Sequence, residues 1–136
     1  MMNTNVIIDY WMEKARDDLA SALENGLAER FQVAVRDAYF CCFHAFSALL
    51  LKDNRTFRSH KEVRSSLHRD YVRTEIIAPQ WGKHFDWLFD NRQKVDYRPL
   101  VSFEREEIDE ILLQSQAFLH EMQRLVYMND ESVKLT

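Results

Sequence analysis

At 136 residues the chain has the size of one domain and can bury a core without a disulfide or metal staple. Its net charge of −4 gives no global attraction for nucleic acid, and two glycines with two prolines are too few for the tight turns of an all-β fold. With 46% hydrophobic and 29% charged residues, it reads as an all-α, up-and-down antiparallel bundle of four to five helices. Positions 1–128 read as a single helical domain and 129–136 as a frayed tail.

The first helix is predicted from about Ile7 to Leu23, with Ile8, Trp11, Ala15, Leu19 and Ala22 as its buried stripe. Asn25-Gly26 supplies a stop, since glycine tolerates the left-handed conformation of many helix ends. The second helix runs from about Leu27 to Lys52. From Ala38 onward it is apolar almost all round, which marks it as the central helix. Cys41 and Cys42, neighbours in that run, point about 100° apart and read as small core residues in a reducing cytoplasm.

Ser59-His60-Lys61-Glu62 has the form of a capping box opening a third helix, which ends near Thr74. Pro79 and Gly82 are expected in the loop that follows. The fourth helix is placed at about Lys83–Val95, and Pro99 should force Arg98 out of helical conformation. Ser102 is the expected cap of the fifth helix, whose buried side includes Ile108, Ile111, Leu112, Phe118, Leu119 and Met122. No basic start or long apolar run suggests a signal peptide. No uninterrupted apolar stretch approaches the ~20 residues of a membrane span.

The polar cluster Asn91–Tyr97 closes the fourth helix. Phe85, Leu88, Arg92 and Asp96 recur at spacings of three and four, so one helix face starts apolar and ends in an ion pair. An arginine on such a face is costly without a partner or a ligand. Upstream, residues 55–73 hold six Lys/Arg against two acids, giving that stretch +4 and leaving −8 for the rest. It reads either as a solvated helix face or as an anion-facing patch. His60, beside Arg58 and Lys61, opens a helix whose backbone N–H groups favour anions. His44 reads as a satisfied core histidine, with Arg36 two turns earlier on nearly the same face. No Glu-x-x-His pair, His-Glu-x-x-His, Cys-x-x-Cys or Gly-rich phosphate loop is present, so no metal site and no cofactor are expected.

Together, Trp11-x3-Ala15-x2-Asp18-Leu19-x2-Ala22, the run Arg36–Ala45 with Ala48-Leu49-Leu50, Ser59-His60-Lys61 and Arg92-x3-Asp96-Tyr97 resemble the HEPN domain family. The likeness is to its small stand-alone prokaryotic members with an Arg-x3-Asp-Tyr ending, and it covers about Tyr10–Leu125. The resemblance implies a helical bundle that forms a homodimer. It also implies a small nucleotidyltransferase partner in toxin–antitoxin or defence systems. Many members are metal-independent RNases whose motif is Arg, four to six residues, then His. Here Arg92 carries over, but Tyr97, Arg98 and Pro99 stand where the histidine would fall.

Three readings follow. The first is a module that binds a nucleotide or RNA phosphate through Arg92, Tyr97, His60, Lys61, Arg58 and Arg36. In it, Tyr97 is a candidate for modification by the partner, as in related toxins. The second is a divergent endoribonuclease using Arg92, Asp96 and a displaced His60 at a dimer cleft. The third is a dimeric structural scaffold.

Overall fold

The computed structural model describes residues 3–98 and 100–135, the segment 129–135 by its backbone alone. Its helices are α1 (Thr4–Leu27), α2 (Phe31–Lys52), α3 (His60–Ser66), α4 (Pro79–Tyr97) and α5 (Arg105–Leu135); no strand is present among the described residues. α3 runs directly into a single π-helical turn, Leu67–Val72. The chain is therefore an all-α helical bundle.

α2 is its axis. It packs along most of α1 and also meets α5 and α4. Val35, Ala38, Tyr39, Cys41, Cys42, Ala45, Phe46 and Ala48 have no exposure at all, and their small members allow the other helices to approach closely. Both cysteines are free thiols. By length and composition alone α2 would pass as a membrane span, yet 61% of that stretch is buried inside the bundle.

Several boundaries differ from the sequence reading, each for a local reason. α1 begins at Thr4, because the Asn3 side chain caps it by accepting the Asn5 N–H at 2.9 Å. It ends at Leu27, past the Asn25-Gly26 pair. Gly26 is inside the helix, where a Cβ would stand 2.7 Å from Leu112 Cδ1. The left-handed residue of that turn is Glu29, with φ 63°. α4 likewise starts four residues early. Pro79 is its first residue, where a missing N–H costs nothing. Gly82 lies within the helix, where a Cβ would come within 2.9 Å of the His68 ring.

Both glycines thus serve helix packing, and the turns use Glu29, Asn54, Glu75 and Leu100 at positive φ instead. α5 starts at Arg105, its first bond running from the Ile108 N–H to the Glu104 carbonyl, so Ser102 lies upstream of the cap position. Its backbone stays helical to Leu135 across the segment read as a tail, since no glycine or proline follows to stop it. Arg98 is extended (φ −120°, ψ 133°), as a following proline requires; Pro99 itself lies outside the described residues, as does Thr136.

The element that matters most for the site is α3. Ser59 Oγ accepts the Glu62 N–H at 3.1 Å, while the Glu62 carboxylate reaches back to the Arg58 N–H at 2.9 Å. This capping box fixes His60 as the first helical residue. Val63, Leu67 and Tyr71 bury the inner face, and the Tyr71 hydroxyl donates to Asp53 at 2.6 Å.

Candidate functional site

α4 carries Phe85 and Leu88, both fully buried, and then Arg92 and Asp96 on the same face. Asp96 is held from two sides. Arg36 of α2 donates to its Oδ1 through Nε (3.1 Å) and Nη2 (2.9 Å). Arg92 Nε lies 2.9 Å from its Oδ2. That N–H does not point along the contact, so Arg92 Nε is buried without a hydrogen-bond partner and the pairing is electrostatic. Two guanidinium groups against one carboxylate leave this cluster with a net charge of +1. Among the described residues no acceptor bonds the Arg92 Nη groups, and neither is a buried orphan, so both open to solvent.

The guanidinium carbon of Arg92 stands 5.3 Å from the Phe40 ring centre and 5.5 Å from that of Tyr39. Around the same Phe40 ring sit His44, at 5.7 Å between centres, and His60, at 6.2 Å. α2, α3 and α4 therefore bring one arginine and two histidines to one place. Arg36 joins it through Asp96.

The two histidines are held differently. The fully buried Tyr39 hydroxyl lies 2.8 Å from His60 Nδ1. A buried hydroxyl must donate, and this nitrogen is its acceptor. The tautomer assigned to His60 therefore carries its proton on Nε2. Burial, with help from Arg92 and then His44, lowers the His60 pKa, so the ring stays neutral where an ordinary histidine is half-protonated. In His44, Nδ1 lies 2.6 Å from Asp18 Oδ2. A carboxylate only accepts, so Nδ1 bears the proton, and among the described residues Nε2 has no hydrogen-bond partner. The ring stacks on Trp11 with centres 5.2 Å apart and planes at 16°.

A family model described as HEPN domain matches residues 8–125. The chain belongs to the HEPN domain family. A UPF0332 protein of Thermotoga maritima is 33% identical over 123 residues, covering 88% of this chain and 91% of that protein. In this HEPN chain Arg92 sits near the end of α4, and the imidazoles that share its Phe40 neighbour, His44 and His60, come from α2 and α3.

Of the residues singled out from the sequence, Arg92, Asp96, Arg36, His60 and His44 converge. Tyr97 does not. Its side chain is 79% exposed, on a different face of α4 with Asp90, Gln93, Lys94 and Arg98. Arg58 and Lys61 are exposed at the start of α3, on the rim beside His60. Much of the positive stretch is neutralised: Arg64 pairs with Asp90 (3.3 Å), while Arg55 (3.2 Å) and Arg69 (2.9 Å) pair with Asp70. His68 meets Asp86 at 2.8 Å. Among the described residues no three His, Cys, Asp or Glu side chains are grouped to hold a metal ion.

Asp18 and Tyr39 were missed as site residues. Asp18 left a signal, since it falls into the buried stripe of α1 at the spacing Trp11, Ala15, Asp18, Ala22. A carboxylate on such a stripe calls for a partner.

Proposed function

We propose that this HEPN protein binds the phosphate of an RNA or nucleotide between Arg92 and His60. In this reading it acts as a homodimer with a small nucleotidyltransferase partner in a toxin–antitoxin or defence system. The observation that carries the phosphate site is the pair of solvent-open Arg92 Nη groups beside a neutral His60 whose Nε2 is a donor. Among the described residues the only carboxylate paired with Arg92 is that of Asp96, which Arg36 already bonds, so an incoming anion meets net positive charge. Arginine suits this task because its fork of N–H donors matches phosphate oxygens.

The test is fluorescence anisotropy of a labelled single-stranded oligoribonucleotide, with ATP as a second ligand. Binding to wild type that is lost in Arg92→Ala supports the reading; equal binding by both refutes it. The partner rests on the family likeness. Tyr97 meets the access requirement for modification, its ring standing largely in solvent. Co-expression with a neighbouring nucleotidyltransferase should add a nucleotide-sized mass that Tyr97→Phe abolishes.

The endoribonuclease reading finds no free proton acceptor in Asp96 or His60. Asp96 is already engaged by Arg36 and faces Arg92, and His60 as placed is a donor. It needs another base.

A further inference from the structure

At one end of the bundle α1 and α4 finish and α2 and α5 begin. Among the described residues ten large hydrophobic side chains are exposed, and five of them, Leu23, Leu27, Val33, Leu100 and Leu113, gather at this end. Singly such residues need no explanation, but a group of them marks an interaction surface. Leu27 and Leu100 stand furthest out, 81% and 97% exposed. Leu100 also takes φ 64°, a left-handed backbone that is costly for leucine, and its side chain gains no burial in return. Beside these knobs lie two hollows of about 380 and 400 Å³, the first lined by Phe31 and Phe103, the second by Leu23, Leu112 and Leu113. Arg105 lies where they adjoin, packed on the Phe31 ring at 5.0 Å, with Glu29 and Asp109 each at a loose 3.5 Å from its guanidinium. No residue of the Arg92 cluster lines either hollow.

We propose that this end of the bundle docks a second copy of the chain about a two-fold axis. The proposal rests on the homodimer read above and gives it a surface. A two-fold contact needs a patch that complements itself, and this one does. It carries knobs and hollows together, so Leu27 and Leu100 of one copy fill the hollows of the other. It also carries both signs of charge. Arg105 of each copy meets Asp109 of the other, in place of the loose contact within its own chain. A strongly basic partner would meet Arg105 as a like charge, and a strongly acidic one would meet Glu29 and Asp109; a second copy pairs both signs. Taking Leu100 out of water offsets the backbone cost of its conformation. The contact uses no residue of the Arg92 cluster, so each copy keeps a phosphate site of its own, unlike a shared dimer cleft.

The experiment is sedimentation velocity of the full chain, wild type beside surface variants. Wild type should sediment as an oligomer, and the double variant Leu27→Lys, Leu113→Lys should halve its mass with unchanged circular dichroism. Both positions are exposed, and a lysine suits the end of α1, so the fold should hold. Leu100→Asn should melt no lower than wild type, because asparagine accepts the left-handed backbone, yet self-associate about tenfold more weakly. Arg105→Asp and Asp109→Arg, each alone, set like charges face to face across the axis and should stay apart. Mixed in equal amounts they should associate, since each charge then meets its opposite in the other chain. A double lysine variant that keeps the wild-type mass overturns the surface while leaving the homodimer standing. A charge-variant mixture that stays apart overturns the two-fold pairing. Wild type that sediments as a monomer removes both the surface and the homodimer, and leaves the phosphate site to its own binding test.

Discussion

Two polar sites of the bundle hold histidine in opposite ways. His84 of α4 is buried against α5, its Nε2 lies 2.9 Å from Ser115 Oγ, and Phe118 packs beside it. Burial pushes its pKa down to about 4, so it stays neutral as a sealed part of the core. His60 and His44 are instead bonded to protein through Nδ1, at the edge of the bundle where α2, α3 and α4 meet, and among the described residues neither Nε2 has a hydrogen-bond partner. A histidine hydrogen-bonded in the core explains stability. A histidine oriented on one nitrogen and open on the other is prepared for a ligand.

The contrast can be broken most sharply through pH. His84 binds a proton more readily in the unfolded chain, near pH 6.5, than in the folded one, near pH 4. Its contribution is complete above about pH 6.5 and is lost as pH falls toward 4, a change of about 3 kcal/mol. Urea melts at pH 7 and pH 4.5 should show this fall in wild type and a much smaller one in His84→Gln. An equal fall in the two proteins would deny His84 its structural role.

Arg92→Ala comes next. It should weaken RNA or nucleotide binding by roughly 10–100-fold, the worth of one or two charged hydrogen bonds, while circular dichroism and melting stay close to wild type. Unfolding of this variant would instead make Arg92 an internal brace for Asp96. Gly82→Ala should cost about 1–3 kcal/mol in a thermal melt, since the new methyl meets His68 and Val72. Removing the Tyr39 hydroxyl in Tyr39→Phe should have the smallest effect. About 1 kcal/mol of stability is lost with that hydrogen bond, and RNA affinity falls a few-fold as His60 is released from its tautomer.

The sequence carries the helices because apolar spacing is a local property. It made α2 central and put Phe85, Leu88, Arg92 and Asp96 on one face, and Ser59 with Glu62 marked the start of α3. The helix ends were harder. Gly26 and Gly82 look like punctuation in a sequence, whereas here they are gaps into which Leu112 and His68 fit. Pro79 looks like a breaker and is an opener. At the site, the α4 pair was legible because Arg92 and Asp96 are four residues apart. Arg36 with Asp96, Tyr39 with His60 and His44 with Asp18 are separated by 60, 21 and 26 residues, and packing alone brings them together.

The most direct measurement is nitrogen-detected NMR of the histidine rings in wild type during titration with a single-stranded oligoribonucleotide. The account predicts that free His60 is neutral at pH 6.5 with its proton on Nε2, and that this resonance moves on adding RNA while those of His84 do not. A His60 protonated on Nδ1 instead, or one that RNA leaves unmoved, would contradict it.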